Sequence, residues 1–342
     1  MAYVSLWTRT LSTVASVCMV VWLGQAADTR VWQLAWSDEF DQADGSAPTS
    51  TNWVYDLGGR GWGNQELETY TNRRENSRVE AGMLVIEARK EPFTGSDQIA
   101  RDYTSARLKT QGRTAWAYGR IEARMKLPAG QGIWPAFWLL GTNITSTGWP
   151  GCGEVDIMEN IGREPSTVHA TVHGPGYSGG KGIGAGKTLS GGETLADAFH
   201  LYAIEWETNR IQWFFDDQLY FTLTPAQLPP DTKWVFDHPH FIILNLAVGG
   251  AWPGNPNATT VFPQRLVVDY VRVYKARTGL PRVSIQRRTS SPLLRWPLTV
   301  PQATLEQASS LTDSWATPAE EETREGLDIV AAATPGFYRL RW

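Results

Sequence analysis

Glu154, Asp156 and Glu159 give this sequence its strongest chemical signal. They follow the turn-like run Gly148-Trp149-Pro150-Gly151-Cys152-Gly153, and the apolar Val155, Ile157 and Met158 among them indicate a strand. Side chains alternate along a strand, so Glu154 and Asp156 share a face, whereas strict alternation would put Met158 there instead of Glu159. One extra residue, a β-bulge, restores the phase and turns Glu159 to the same side. Burying three ionised acids would be very costly, which predicts that the row faces a wet cleft. One chemistry with a use for such a row is retaining glycoside hydrolysis, which needs two carboxyl groups about 5–5.5 Å apart. An extended strand would separate the Glu154 and Glu159 Cα atoms by roughly 16 Å, so bulge and curvature must lean the side chains together. Asp156 between them can share a proton, keeping one neighbour charged while another stays protonated. A solvated acidic strand edge and a calcium site are the competing readings of the same spacing.

The rest of the chain supplies elements suited to holding such a strand. From Val31 to Lys275, short β-patterned runs are separated by Gly, Pro and Asn. Arg120 to Lys126 alternates strictly, with Ile121, Ala123 and Met125 on one face. Ile211 to Phe215, Phe241 to Val248 and Val267 to Tyr274 are rich in β-branched and aromatic residues. Long amphipathic helical patterns are nearly absent, so the predicted class is an all-β, two-sheet sandwich or jelly roll over residues 31–275. The Gly-rich stretch Gly174 to Gly186 reads as a loop rimming a cleft. After Lys275 aromatics thin out and the acidic run Glu320 to Glu322 appears, yet Val283 to Gln286, Leu327 to Val330 and Phe337 to Leu340 still alternate. Residues 276–342 are predicted to form a small C-terminal β module, with a disordered tail as the alternative.

Residues 1–26 read as an export signal. Arg9 supplies a basic region, Leu11 to Leu23 a mostly apolar run, and Gly24-Gln25-Ala26-Ala27 the small residues for cleavage after Ala26. The run falls short of the about 20 apolar residues of a membrane span, so the expected mature protein is secreted, without a transmembrane segment. Once Cys18 leaves with the signal, Cys152 remains alone and no internal disulfide can form. A net charge of −4 gives no reason to expect nucleic acid as a partner. The chain holds 17 Trp, more than a Leu/Ile/Val core requires. Indole faces stack on the C–H faces of sugar rings, although large sandwiches also bury many aromatics.

The run Glu154-Val155-Asp156-Ile157-Met158-Glu159 resembles the signature of glycoside hydrolase family 16, in the bulged form of its laminarinase-like members. Ordered matches run from Ser37-Asp38-Glu39-Phe40 through Gly61-Trp62-Gly63-Asn64, Tyr118-Gly119-Arg120, Trp134-Pro135-Ala136-Phe137-Trp138 and Asn245-Leu246-Ala247-Val248-Gly249-Gly250. They end at Val268-Asp269-Tyr270-Val271-Arg272-Val273-Tyr274. The resemblance implies a concave jelly-roll cleft and an endo-β-1,3-glucanase acting on laminarin-like β-glucan by double displacement. By position it makes Glu154 the nucleophile, Asp156 its assistant and Glu159 the general acid/base. A monomer needing no cofactor for the reaction is expected. The alternatives are hydrolysis of mixed-linkage glucan or an algal galactan on the same fold, and a non-catalytic glucan-binding protein. Related recognition proteins lose one or both glutamates; this chain keeps both.

The family pattern also implies that Trp134 and Trp138 line sugar subsites. Trp116 and Trp252 are further platform candidates, Trp252 lying in a Gly-Ala-Trp-Pro-Gly loop. Asn64, Glu66 and Glu68 could bond sugar hydroxyls, and Asn64 matches the family best. Arg107 matches a family arginine, with Ala106 where a glycine is expected before it. His173 matches a family histidine beside the catalytic strand. His169 and His173 have a helical metal-pair spacing, but the run Thr167 to His173 patterns as a strand. Cys152 has no basic neighbour and reads as a small packing residue. Glu39 and Asp269 fall where many relatives build a structural calcium site away from the cleft.

Overall fold

Strands with one apolar face must bury it, and here two sheets bury theirs against each other. The structure, a computed structural model, describes residues 31–277 continuously, together with short strands in the flanking segments. It divides into two compact units, Ala35–Tyr274 and a second formed by Met1–Leu34 with Lys275–Trp342.

Seven strands build the sheet that carries the acids. They are β1 (Val54–Asp56), β2 (Arg107–Lys109), β3 (Ile133–Gly141), β4 (Glu154–Glu159), β5 (Thr167–His173), β6 (Ile183–Thr188) and β7 (His240–Val248). Their order is β6-β5-β4-β3-β7-β2-β1, with every neighbouring pair antiparallel. The Gly-rich stretch read as a loop is thus partly an edge strand, because Ile183–Thr188 completes its ladder on β5. Alternation sorts the side chains: on β3, Ile133, Phe137 and Leu139 enter the core, while Trp134 and Trp138 stand on the other face.

The opposing ten-stranded sheet contributes Ile121, Ala123 and Met125 from Gly119–Lys126, as their alternation predicts. Ile204 and Trp206 join from His200–Glu207, and Val271 and Val273 from Gln264–Arg277. Fully burying each aliphatic or aromatic side chain of this kind is worth roughly 1.5–3 kcal/mol, so a sandwich of this size holds without a covalent staple. Cys152 is accordingly a free, buried thiol.

In the second unit Ala2–Val4 pairs with Val17–Val21, and Val17–Met19 runs parallel to Gly336–Tyr338. Ser284–Gln286, Leu293–Pro297, Asp328–Ala332 and Thr323–Glu325 form a separate four-stranded sheet. The remainder of the predicted export segment lies outside the described residues. Among the described residues no helix is long and apolar enough to cross a membrane.

Candidate active site

Entry into β4 is set by Gly153, whose φ of 73° lies in the left-handed region. A Cβ at that position would also stand 2.9 Å from the Val235 carbonyl oxygen. The bulge expected from the acid spacing follows. Phe137 of β3 pairs with Met158 and Trp138 with Asp156, so Ile157 is the extra residue. Ile157 and Met158 both turn into the core, and Glu154, Asp156 and Glu159 all line one open cavity of about 740 Å³. Where the bulge breaks the ladder, Trp213 of the opposite sheet donates its Nε1–H to the Asp156 carbonyl oxygen at 2.8 Å. Left without a donor, a buried carbonyl would cost about 1–3 kcal/mol.

Each glutamate has its own indole donor. Trp149 Nε1–H donates to Glu154 Oε2 at 3.0 Å, and Trp134 Nε1–H donates to Glu159 Oε1 at 3.0 Å. His173 Nε2 lies 3.3 Å from Asp156 Oδ2 and 3.7 Å from Glu154 Oε1. Asp156, Glu154 and His173 hold donor atoms within 4.8 Å of one another, the one grouping among the described residues that could take a metal cation. The partners of His173 are therefore these acids; His169 bonds Glu164 Oε2 at 2.9 Å instead.

The row opens on the cleft but is drier than expected, with Asp156 only 3% and Glu159 9% exposed. Burial, then repulsion from Asp156, pushes Glu154 up to about 8, against the lowering pull of His173, the Trp149 bond and Arg107. Burial likewise pushes Asp156 up to about 8. Glu159 is held well above the usual carboxylate range by burial and by the charges of Asp156 and Glu154. Protons retained in the row are what let three acids coexist there.

The walls bring together six of the expected sugar contacts: Asn64, Arg107, Trp134, Trp138, His173 and Trp252 all line the cavity. The Arg107 guanidinium lies 5.0 Å from the Trp62 ring centroid and 4.8 Å from that of Trp138, with its Nε 3.0 Å from Asp56. Ala106 in place of glycine leaves this backbone in register, since its buried carbonyl still accepts the Leu246 N–H at 3.4 Å. Trp252 stands edge-on to Trp134 at 5.5 Å, and Arg163 bonds its carbonyl oxygen.

Residues 64–272 match the family model "Glycosyl hydrolases family 16". The chain belongs to glycosyl hydrolase family 16. It is 46% identical over 276 residues to a "Beta-glucanase" of Rhodothermus marinus, covering 78% of this chain and 94% of that protein. The laminarinase catalytic domain of Thermotoga maritima is 50% identical, with a TM-score of 0.69, over 72% of this chain and 100% of that one. The endo-β-1,3-glucanase of Pyrococcus furiosus is 49% identical, with a TM-score of 0.70, over 74% of this chain and 97% of that one.

Other expected site residues of this family 16 glycosidase lie elsewhere. Trp116 is no sugar platform: it is 7% exposed and packs in the core against Trp36 at 5.0 Å. Its backbone bridge to His240 sets the indole inward. Glu68 is also out of reach of substrate, fully buried with Oε2 accepting the Val248 N–H at 2.7 Å. Glu39 and Asp269 lie outside the cavity lining, and each carboxylate pairs with a guanidinium, Arg272 at 2.7 Å and Arg124 at 2.7 Å respectively. Cys152 is buried beside the acids, and burial with the Glu154 charge pushes its thiol up to about 11, consistent with packing and not with nucleophilic use.

Sequence reasoning missed Trp149 as a site residue, and named Trp62 and Asn245 only within family matches. Trp149 sat in a turn-forming run, and its 49% exposure was the signal of a cleft role that only coordinates reveal.

The raised acids also make a stability prediction. A carboxyl whose value rises on folding stabilises the fold below its unfolded value and loses that contribution as pH climbs through the folded value. For Asp156 the window runs from about 4 up to about 8. Asp156→Asn should therefore raise the thermal midpoint by a few degrees over the unmutated enzyme near pH 9, and change it little near pH 4, by calorimetry. Equal shifts at both pH values would show that the row does not titrate in that window.

Proposed function

We propose that the enzyme hydrolyses internal β-1,3 bonds of laminarin-like glucans with retention of configuration, through a covalent glycosyl-enzyme. The observation that carries this reading is the bulged strand. It delivers Glu154 and Glu159 to one open, tryptophan-lined cavity, each on its own indole N–H. The activities of its relatives support the linkage.

In the first step Glu154 attacks the anomeric carbon, the glycosidic C–O bond breaks, and the Glu159 proton goes to the leaving oxygen. Water then attacks the same carbon, the Glu154 ester bond breaks, and a water proton returns to Glu159. The environment divides the roles accordingly. His173 and an indole bond favour the charged form of both glutamates, but Glu154 has Arg107 as well and the repulsion of one acid, Asp156, whereas Glu159 meets the charges of both Asp156 and Glu154. Glu159, held well above the usual range, keeps the proton that a general acid must donate. Asp156 lies between them and can take up or release a proton as Glu154 changes charge.

Proton NMR of laminarin hydrolysis should show the β anomer as the first reducing end, before mutarotation. An α anomer appearing first would remove the covalent intermediate.

Export and the monomeric state are part of the same proposal. Enzyme recovered outside the cell should begin at Ala27 and run as a monomer in light scattering. An extracellular protein that retains Arg9 to Leu23 would overturn the signal reading.

A further inference from the structure

Along the cleft floor runs a largely buried polar chain that the proposed chemistry does not use; its Glu66 and Asn245 touch the cavity, and Tyr70 lies behind them. Glu66, Tyr70 and Asn245 are 3%, 1% and 6% exposed. The Tyr70 hydroxyl donates to Glu66 Oε2 at 2.8 Å. Its oxygen in turn accepts from Asn245 Nδ2 at 3.3 Å. Asn245 Oδ1 accepts the Trp138 Nε1–H at 2.7 Å. Trp138 is the cross-strand partner of Asp156, so the indole at the end of this chain stands beside the catalytic row.

The polarity of the chain runs one way. An indole N–H can only donate and a carboxylate can only accept, whereas hydroxyl and amide can do either. Glu66 also accepts from Asn64 Nδ2 at 3.2 Å. With the Tyr70 proton committed to Glu66, the Tyr70 oxygen selects the NH₂ side of Asn245, which turns the amide carbonyl towards Trp138. Burial, then the Glu66 charge, push the neighbouring Glu68 well above the usual carboxylate range. Arg107 over the Trp138 ring restrains the plane of the indole, and Asn245 restrains its edge.

We propose that Glu66 and Tyr70 are positioning residues that orient Trp138 through Asn245, and so set how tightly the cleft floor holds a sugar ring. This rests on the glucan-hydrolase reading of the cleft, but one of its tests needs no substrate. Tyr70→Phe fills the same space and removes only the hydroxyl. In the full chain, hydrogen exchange of the Trp138 indole N–H, assigned by its loss in Trp138→Phe, should quicken about ten-fold in Tyr70→Phe and in the same direction in Glu66→Gln. On laminari-oligosaccharides, Tyr70→Phe should raise KM about ten-fold with kcat nearly unchanged, the pattern of lost ground-state binding. In a Trp138→Phe background the same change should add nothing, because the N–H it acts through is gone. Unchanged indole exchange in Tyr70→Phe, or KM increases that simply multiply in the double variant, would overturn the proposal. Absence of laminarin turnover by the unmutated enzyme would strike the substrate reading instead, and would leave the exchange measurement able to decide the positioning role.

Discussion

Glu154→Ser should lower kcat on laminarin by at least about 10⁴-fold while the protein stays folded, because the short serine side chain ends well back from where the glutamate carboxylate reaches and cannot form the glycosyl-enzyme. The change removes a buried carboxyl whose value burial pushes up to about 8, so folding should not suffer at neutral pH or above. It also opens space on the face of the sugar that Glu154 occupies. Azide is small enough to enter that space, attack the anomeric carbon once and expel an activated aryl leaving group. The product is then the α-glycosyl azide, inverted relative to a β-glycoside. Full turnover in Glu154→Ser, or a β-azide from it, would remove Glu154 as the nucleophile.

Glu159→Ala should cost about 10³-fold in kcat on laminarin, the usual weight of a general acid/base. Here the loss depends on the leaving group. An aryl β-glucoside whose phenol departs without a proton should form the glycosyl-enzyme nearly as fast as with the unmutated protein, then stall, because water lacks its base. Azide needs no base and should restore turnover by attacking the glycosyl-enzyme, giving the β-azide through two inversions. The opposite anomers from the two variants assign the two glutamates independently. An equal loss on both leaving groups, without azide rescue, would mean that Glu159 holds structure and not the proton. The Trp134 indole, 3.0 Å from Glu159, would lose its partner in the alanine variant, so Glu159→Gln serves as the shape-preserving control.

Much of the site was legible because its logic is local. The two-residue period put Glu154 and Asp156 on one face, and the misfit of Glu159 demanded an extra residue that the structure places at Ile157. Ile121, Ala123 and Met125 alternated into the core as written. The wetness of the acidic row was not legible. Exposure depends on indoles folding over the carboxylates, and Trp149 reaches Glu154 across a turn whose path the residue types leave open. Trp116 and Trp134 look alike as residues, yet one packs on Trp36 in the core and the other bonds Glu159 in the cleft. Nor were the partners of Glu39 and Asp269 legible, since the arginines they pair with lie 233 and 145 positions away in sequence.

Sequence alone therefore determined the β class, from alternation along the chain, and the bulged acidic strand, from spacing within a few residues. The glycosidase chemistry came from the resemblance of that strand and its ordered companion motifs to a known family, since spacing by itself also fitted an acidic edge or a calcium site. Tertiary structure alone decided which tryptophans line the cleft, how each acid is lifted from its ordinary value, and which donors hold it. Those outcomes depend on groups joined across long stretches of chain, as when Trp213 caps the Asp156 carbonyl from 57 residues away or Asn245 meets Tyr70 from 175. Such distances are closed by strand order and register, and neither is written in any local pattern.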